Sequence, residues 1–128
     1  MAYGVTGGKT TGFASPAQGY EETNIDLNAF LIQNPSATYL FKLDSSDMAD
    51  LGLPKGALLI VDRSKKPRFN QLAIIRHEGQ FLCRLMVNRN RQKAFTNGVS
   101  EIIPISDETE IVGAVTASIQ VYNHDLSH

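Results

Sequence analysis

The sequence predicts a mostly β domain with one or two short helices. Between residues 37 and 122 its apolar residues gather into short runs of strand character rather than long helical stripes. Glu78-Gly79 separates two of those runs at hairpin spacing, with glycine available for a positive φ. Helical spacing is clear only near residues 27–33.

Taken in order, residues 1–12 are rich in Gly and Thr with little to bury. They read as a flexible N-terminal arm, ahead of a β domain at 13–123 and a polar tail at 124–128. Gly7-Gly8-Lys9-Thr10 ends like a phosphate-binding loop, but the motif's leading glycine would fall on Tyr3. No strand precedes it, and Gly12 and Pro16 interrupt any helix after it, so that reading is rejected. Residues 12–20 are expected to be extended, Pro16 fixing one φ and turning Ser15 away from helix. Asp26 is the expected N-cap of a helix over 27–33, where Leu27, Phe30 and Leu31 form an apolar packing face. Asn34-Pro35 ends it.

Strands are expected at 37–43, 57–63, 71–77, 80–87 and 110–122. Between the first two lies a polar turn, Asp44-Ser45-Ser46-Asp47, then Met48 and a helical turn to Leu51. Gly52, Pro54 and Gly56 lead into the next strand. A polar turn held between two core strands is a place where a scaffold can present reactive groups. Ser45 or Ser46 is expected to cap the helical turn. Lys65-Lys66-Pro67-Arg68 and Arg89-Asn90-Arg91-Gln92-Lys93 read as solvated basic loops, with contact to nucleic acid or an acidic partner as the other reading. Pro104, between Ile102-Ile103 and Ile105, makes that segment an edge strand or a broken one. His124, Asp125 and His128 read as a frayed terminus rather than a metal site.

A chain of 128 residues holds one domain with a modest core. Its 42% hydrophobic and 20% charged content is that of an ordinary globule, and a net charge of −1 gives no global pull toward nucleic acid or an anionic membrane. The single cysteine, Cys83, excludes an intramolecular disulfide and reads as a small buried hydrophobe. It is compatible with a reducing cytoplasm. No stretch has the length of a membrane span, the N-terminus lacks signal-peptide features, and no cofactor motif is present.

Several segments resemble the S24 peptidase family, which includes LexA-type repressors and UmuD-type proteins. The family carries a Gly-Asp-Ser-Met-like turn and then a Gly-Asp-x-(apolar)3-Asp strand. Here the turn reads Ser45-Ser46-Asp47-Met48 and the strand Gly56-Ala57-Leu58-Leu59-Ile60-Val61-Asp62. Similarity to the UmuD type continues upstream through Gly12-Phe13-Ala14-Ser15-Pro16-Ala17, Ile25-Asp26-Leu27-Asn28 and the stretch from Leu31 to Tyr39. It covers residues 12–122 and implies the highly curved β-sheet fold of the LexA/UmuD C-terminal domain.

The resemblance also implies a serine–lysine dyad. A buried, neutral lysine takes the serine's proton, and the serine attacks a peptide bond in the protein's own arm. The family serine precedes the turn's Met, and Asp47 stands there. The family lysine lies three residues beyond a strand Phe, and three beyond Phe81 stands Arg84. Asp47 has no hydroxyl, and a guanidinium stays protonated at physiological pH. The two are expected instead to face each other as an ion pair, with bidentate geometry open to them. The family cleaves between a small residue and Gly, and the aligned junction here is Thr11-Gly12, with a β-branched residue first. Ser46 is the candidate displaced nucleophile, and His77 or Lys93 the candidate substitute base.

By resemblance the chain is a UmuD-like accessory protein of the SOS response. Its expected partners are a second copy of itself and a UmuC-like Y-family DNA polymerase, with a recombinase filament as an effector. Apolar patches of the final strand, residues 111–121, are the expected dimer contact. The short arm resembles the processed form of the family. The alternatives are an active self-cleaving serine peptidase using Ser46, and the sensor domain of a LexA-like repressor. No helix-turn-helix pattern precedes residue 37, which counts against the repressor and against sequence-specific DNA binding.

Overall fold

The computed structural model describes residues 24–123. The arm, the Thr11-Gly12 junction, the 12–20 stretch and the tail with His124, Asp125 and His128 lie outside the described residues. Contacts divide the chain into two units after Gln33.

In the first unit Asp26 caps helix α1 (Leu27–Leu31), its carboxylate accepting the Ala29 N–H at 3.3 Å. The helix stops short of the expected Gln33 because Ile32 leaves helical geometry at φ −118° and ψ 87°. Its expected packing face is formed in part: Phe30 and Leu31 are half-buried, but none of its residues is fully buried and Leu27 is 63% exposed.

The second unit is one seven-stranded antiparallel sheet in the order β1-β2-β7-β3-β4-β5-β6. The strands are β1 (Thr38–Lys42), β2 (Leu58–Asp62), β3 (Leu72–His77), β4 (Gln80–Arg89), β5 (Gln92–Thr96), β6 (Ile102–Pro104) and β7 (Thr109–Ile119). The mostly β expectation holds. Glu78 and Gly79, at φ 51° and 80°, make the β3–β4 turn. The second basic loop is corrected. Asn90 and Arg91, at φ 54° and 67°, form a two-residue turn, so that Arg89 ends β4 and Gln92-Lys93 begin β5. Without a glycine the turn carries no strong hairpin signal, and it is the burial of Ala94, Phe95 and Thr96 that holds β5 in place. Pro104 sits on the edge strand, where its missing N–H costs no ladder bond.

Strand β7 organises the curvature. It pairs with β3 from Thr109 to Ala114 and with β2 from Ala114 to Ile119. The register slips between Ile74 and Ile75 on one side, and between Ile60 and Val61 on the other. Val112 and Thr116 are thereby left out of the pairing, and such bulges bend and twist a strand. Gly113 is required at the bend, because a Cβ there would stand 2.8 Å from the Asp62 carbonyl oxygen. The strand ends at Ile119 rather than Tyr122 because its partner β2 begins at Leu58, opposite Ile119. Two cores result. One holds Leu43, Met48, Leu53, Leu59, Val61, Ile74 and Cys83, and the other Ala73, Ile75, Met86, Phe95 and Ile103. Among the described residues no helix is long and apolar enough to cross a membrane.

Candidate functional site: the 44–48 turn and Arg84

The polar turn is part of a closed excursion. Leu43 donates its N–H to the Ala57 carbonyl at 2.9 Å, and its own carbonyl accepts the Gly56 N–H at 2.7 Å. Within the excursion Met48 is fully buried and Leu53 is 5% exposed. Burying an unbranched side chain of that size contributes on the order of 2 kcal/mol. Met48 thus pins the turn to the first core, with Asp47 beside it at the rim. The 3-10 turn Ala49–Leu51 ends at Gly52, whose φ of 87° is costly for other residues. The expected serine cap is corrected: that turn has no side-chain cap, and Ser45 Oγ accepts the Asp47 N–H at 3.4 Å. Asp47 is therefore steered by its neighbour's hydroxyl.

Arg84 projects from β4 opposite Ala73 and is only 4% exposed. Its Nη2 stands 3.4 Å from Asp47 Oδ2, a single contact rather than a bidentate pair. The guanidinium is turned toward a partner that sequence reading missed. Nε donates to Glu101 Oε1 at 2.6 Å, and Nη1 donates to the Cys83 carbonyl at 2.8 Å. One buried cation thus bridges two half-exposed carboxylates, 52% and 40% exposed for Asp47 and Glu101.

Glu101 is placed by its own loop. Asn97 Oδ1 accepts the N–H groups of Val99, Ser100 and Glu101 at 3.0, 3.1 and 3.1 Å. Thr96 Oγ1 accepts the Gly98 N–H at 2.9 Å. Gly98, at φ 89°, lies so close to Leu51 that a Cβ would meet its side chain at 2.8 Å. The loop therefore packs on the 3-10 turn that follows Asp47, and the carboxylates reach Arg84 from two separate segments. The available signal was Asn97-Gly98, a turn pair whose Asn side chain can collect successive backbone N–H groups. It locates a loop but not the direction of Glu101.

The other candidates are not assembled around this site. Ser46 is exposed, and its hydroxyl has no hydrogen-bond partner among the described residues. His77 lies four positions along β3 from Ala73, the cross-strand partner of Arg84. At 3.3 Å per residue that is about 13 Å. There its Nδ1 contacts Thr109 Oγ1 at 2.9 Å. Lys93 pairs with Asn88, four positions along β4 from Arg84 and again about 13 Å away. Burial pushes the Cys83 thiol up to about 11, against the opposing charge of Arg84, so it is a poor nucleophile. Among the described residues no three His, Cys, Asp or Glu side chains converge as a metal site.

A second polar knot holds the far end of β2. Asp62 is 4% exposed and accepts from Asn34 Nδ2 at 2.8 Å, from the Ser64 N–H at 2.8 Å and from Ser64 Oγ at 2.5 Å. The Asn34 side chain first, then that of Ser64, hold its carboxyl below the usual carboxylate range, against desolvation. Here the final Asp of the motif strand has a structural task.

The family model for Peptidase S24-like proteins matches residues 4–116. The chain belongs to that family. Among S24 relatives it is 32% identical to Protein SamA of Salmonella typhimurium over 108 residues, covering 84% of this chain and 77% of SamA. It is 33% identical to Protein MucA of Escherichia coli over 116 residues, covering 86% and 78% of the two chains. It is also 33% identical to Protein ImpA of Escherichia coli over 99 residues, covering 77% of this chain and 63% of ImpA. The UmuD-like resemblance read from the sequence agrees with these S24 matches, and the strand-rich sheet agrees with the S24 fold.

Proposed function

We propose that this S24 chain is a UmuD-like accessory protein of the SOS response, supporting a UmuC-like Y-family translesion DNA polymerase through a degenerate, inactive self-cleavage site. The observation that carries the reading is the occupation of the dyad-equivalent region by an ion-paired cluster. Arg84, where the resemblance places the lysine base, is buried and bonded to Glu101 and Asp47. A guanidinium so held has no lone pair to take a proton, and Asp47 has no hydroxyl to give one. With cleavage gone, a binding role is what the family relationship leaves.

The reading includes a homodimer in a reducing cytoplasm and a recombinase filament as an upstream effector. Beyond Ala114, β7 pairs with β2 alone among the described residues, which leaves one backbone edge for a second copy. Half-buried Ala117 and Ile119 lie on that stretch.

The test is intact mass after long incubation at alkaline pH, with and without an activated recombinase filament. An unchanged mass in both conditions is expected. Loss of mass at Thr11-Gly12 would overturn the inactive-site reading, and loss of that cleavage in Ser46→Ala would name the nucleophile.

A further inference from the structure

From Arg63 to Ser100 the sequence holds one acidic residue, Glu78, among nine lysines and arginines. Topology concentrates much of that excess at one end of the sheet. The first basic run, Lys65, Lys66 and Arg68, lies in the connection between β2 and β3. The second, Arg89, Arg91 and Lys93, forms the β4–β5 hairpin. Because β3 and β4 are antiparallel, the start of β3 and the end of β4 lie at the same end.

Backbone bonds tie the first connection to β4 just before the hairpin. The Asn70 N–H donates to the Met86 carbonyl at 2.6 Å, and the Met86 N–H donates to the Gln71 carbonyl at 2.9 Å. Arg68 is tied to the same loop by its N–H, donated to Gln71 Oε1 at 2.9 Å. The pairing of β3 with β4 thus runs on past Leu72 to Asn70, and a turn closed by the Gln71 N–H on the Arg68 carbonyl at 3.0 Å holds Arg68 and Phe69 at that end of the sheet. All six cations are exposed.

The acids leave most of that charge standing, since Asp47 and Glu101 are both engaged by Arg84. Glu78 lies six positions from Leu72 along β3, about 20 Å away at 3.3 Å per residue. The screening length in physiological salt is only about 8 Å. Asp62 is nearer and acts on Lys65, but it is 4% exposed and its oxygens accept from Asn34 and Ser64. Glu78, Asp107, Glu108 and Glu110 gather at the opposite end around a shallow depression beside Arg76. Among the described residues the sheet therefore has one end rich in cations and an opposite end rich in acids.

Two aromatic rings accompany the cationic end. Phe69 is 43% exposed, next to Arg68. Tyr39 is 37% exposed, with the Arg63 guanidinium 5.4 Å from its ring centroid. Cations alone fit any polyanion. An exposed ring set among them adds a face on which an unpaired base can stack, which neither a duplex nor an acidic polypeptide supplies.

We propose that the end of the sheet formed by the 65–69 connection and the β4–β5 hairpin binds single-stranded nucleic acid, through phosphate contacts to the two basic runs and base stacking on Phe69. The contact reads charge and base faces rather than sequence.

The test is fluorescence anisotropy of a labelled oligothymidylate of about 20 nucleotides, titrated with the full chain between about 50 and 200 mM salt. A logarithmic salt slope of about −3 is expected, corresponding to about four phosphates at roughly 0.7 each. Arg68→Ala/Arg89→Ala/Arg91→Ala should cut the slope to about −1 and weaken binding at least about tenfold at low salt. Phe69→Ala should weaken binding about fivefold or more with the slope unchanged. These are surface positions, and a thermal melt matching the parent shows that each variant folds. No anisotropy change at the lowest salt, or equal binding by parent and triple variant, overturns the proposal. Equal affinity for a matched polyglutamate or duplex, with no effect of Phe69→Ala, also overturns it and assigns the surface to polyanions in general.

Discussion

Arg84 Nε lies 2.6 Å from Glu101 Oε1, whereas Arg84 Nη2 lies 3.4 Å from Asp47 Oδ2. The carboxylate supplied by the 97–101 loop, not the one in the motif turn, is the principal counter-ion of the buried guanidinium. Glu101→Ala should therefore cost more than Asp47→Ala. Breaking a fully buried pair costs about 3–5 kcal/mol. Glu101 is 40% exposed, so water reaches the vacated space and about 2 kcal/mol is expected. Asp47, at 52% exposure and longer range, should cost about 0.5–1 kcal/mol. Urea midpoints at neutral pH measure both, and equal costs would reverse the ranking of the partners.

The same geometry bears on whether peptidase chemistry can be rebuilt. Asp47→Ser with Arg84→Lys writes the family's dyad into this chain. The new ammonium would still meet Glu101, and a nearby carboxylate favours the charged form of a lysine. A charged lysine takes no proton from serine. The double variant should stay unlabelled by a fluorophosphonate near pH 8, and adding Glu101→Gln should permit labelling that rises with pH. Labelling of the double variant as fast as the triple would show that Glu101 does not restrain the base.

Much of this was legible in the sequence, and the omissions share a cause. The runs around Leu59 to Val61 and Ala73 to Ile75 announce core strands because their burial is continuous in the chain. Asp47 and Arg84 were legible through motif position, and the structure brings them within ion-pair distance. Glu101 was not, because its place depends on Asn97 gathering three N–H groups and on Gly98 lying against Leu51, and it stands seventeen residues after Arg84, which it meets only in the folded chain. Strand β5 was hidden for a related reason. Its turn residues, Asn90 and Arg91, adopt positive φ without a glycine, and the charges around them read as a solvated loop. Helix α1 shows a partial converse, an apolar spacing in which Phe30 and Leu31 are half-buried while Leu27 is 63% exposed.

Asp62 should make stability depend on acid. Its carboxyl is held below the usual range by Asn34 and Ser64 in the folded chain, so the unfolded chain binds its proton more readily. The stabilisation is complete above an unfolded carboxylate value of about 4 and is lost as pH falls through the lower folded value. Asp62→Asn should lower the urea midpoint at neutral pH, and the gap to the parent should close progressively below about pH 4. Asn34→Ala should narrow the parent's acid-sensitive range, since it removes the largest cause of the shift. A gap that stays constant down to about pH 2 would mean that the carboxylate charge plays no part in the knot.

Gly98 and Leu51 join the loop carrying Glu101 to the turn carrying Asp47, and their contact can be weighed in parts. Gly98→Ala meets two penalties: a φ of 89°, which an L-residue adopts reluctantly, and a Cβ 2.8 Å from the Leu51 side chain. The obstacle is the end of a flexible side chain, so the steric part can be relieved. Together about 2–3 kcal/mol is expected. In a Leu51→Ala background only the backbone part remains, and Gly98→Ala should cost about 1 kcal/mol. The double-mutant cycle then returns a coupling of about 1–2 kcal/mol, within the range found for residues in contact. If the loop also sets Glu101, Gly98→Ala should erase most of the further cost of Glu101→Ala, because the carboxylate no longer reaches Arg84. Strict additivity of those two changes would separate the packing of the loop from the placement of its carboxylate.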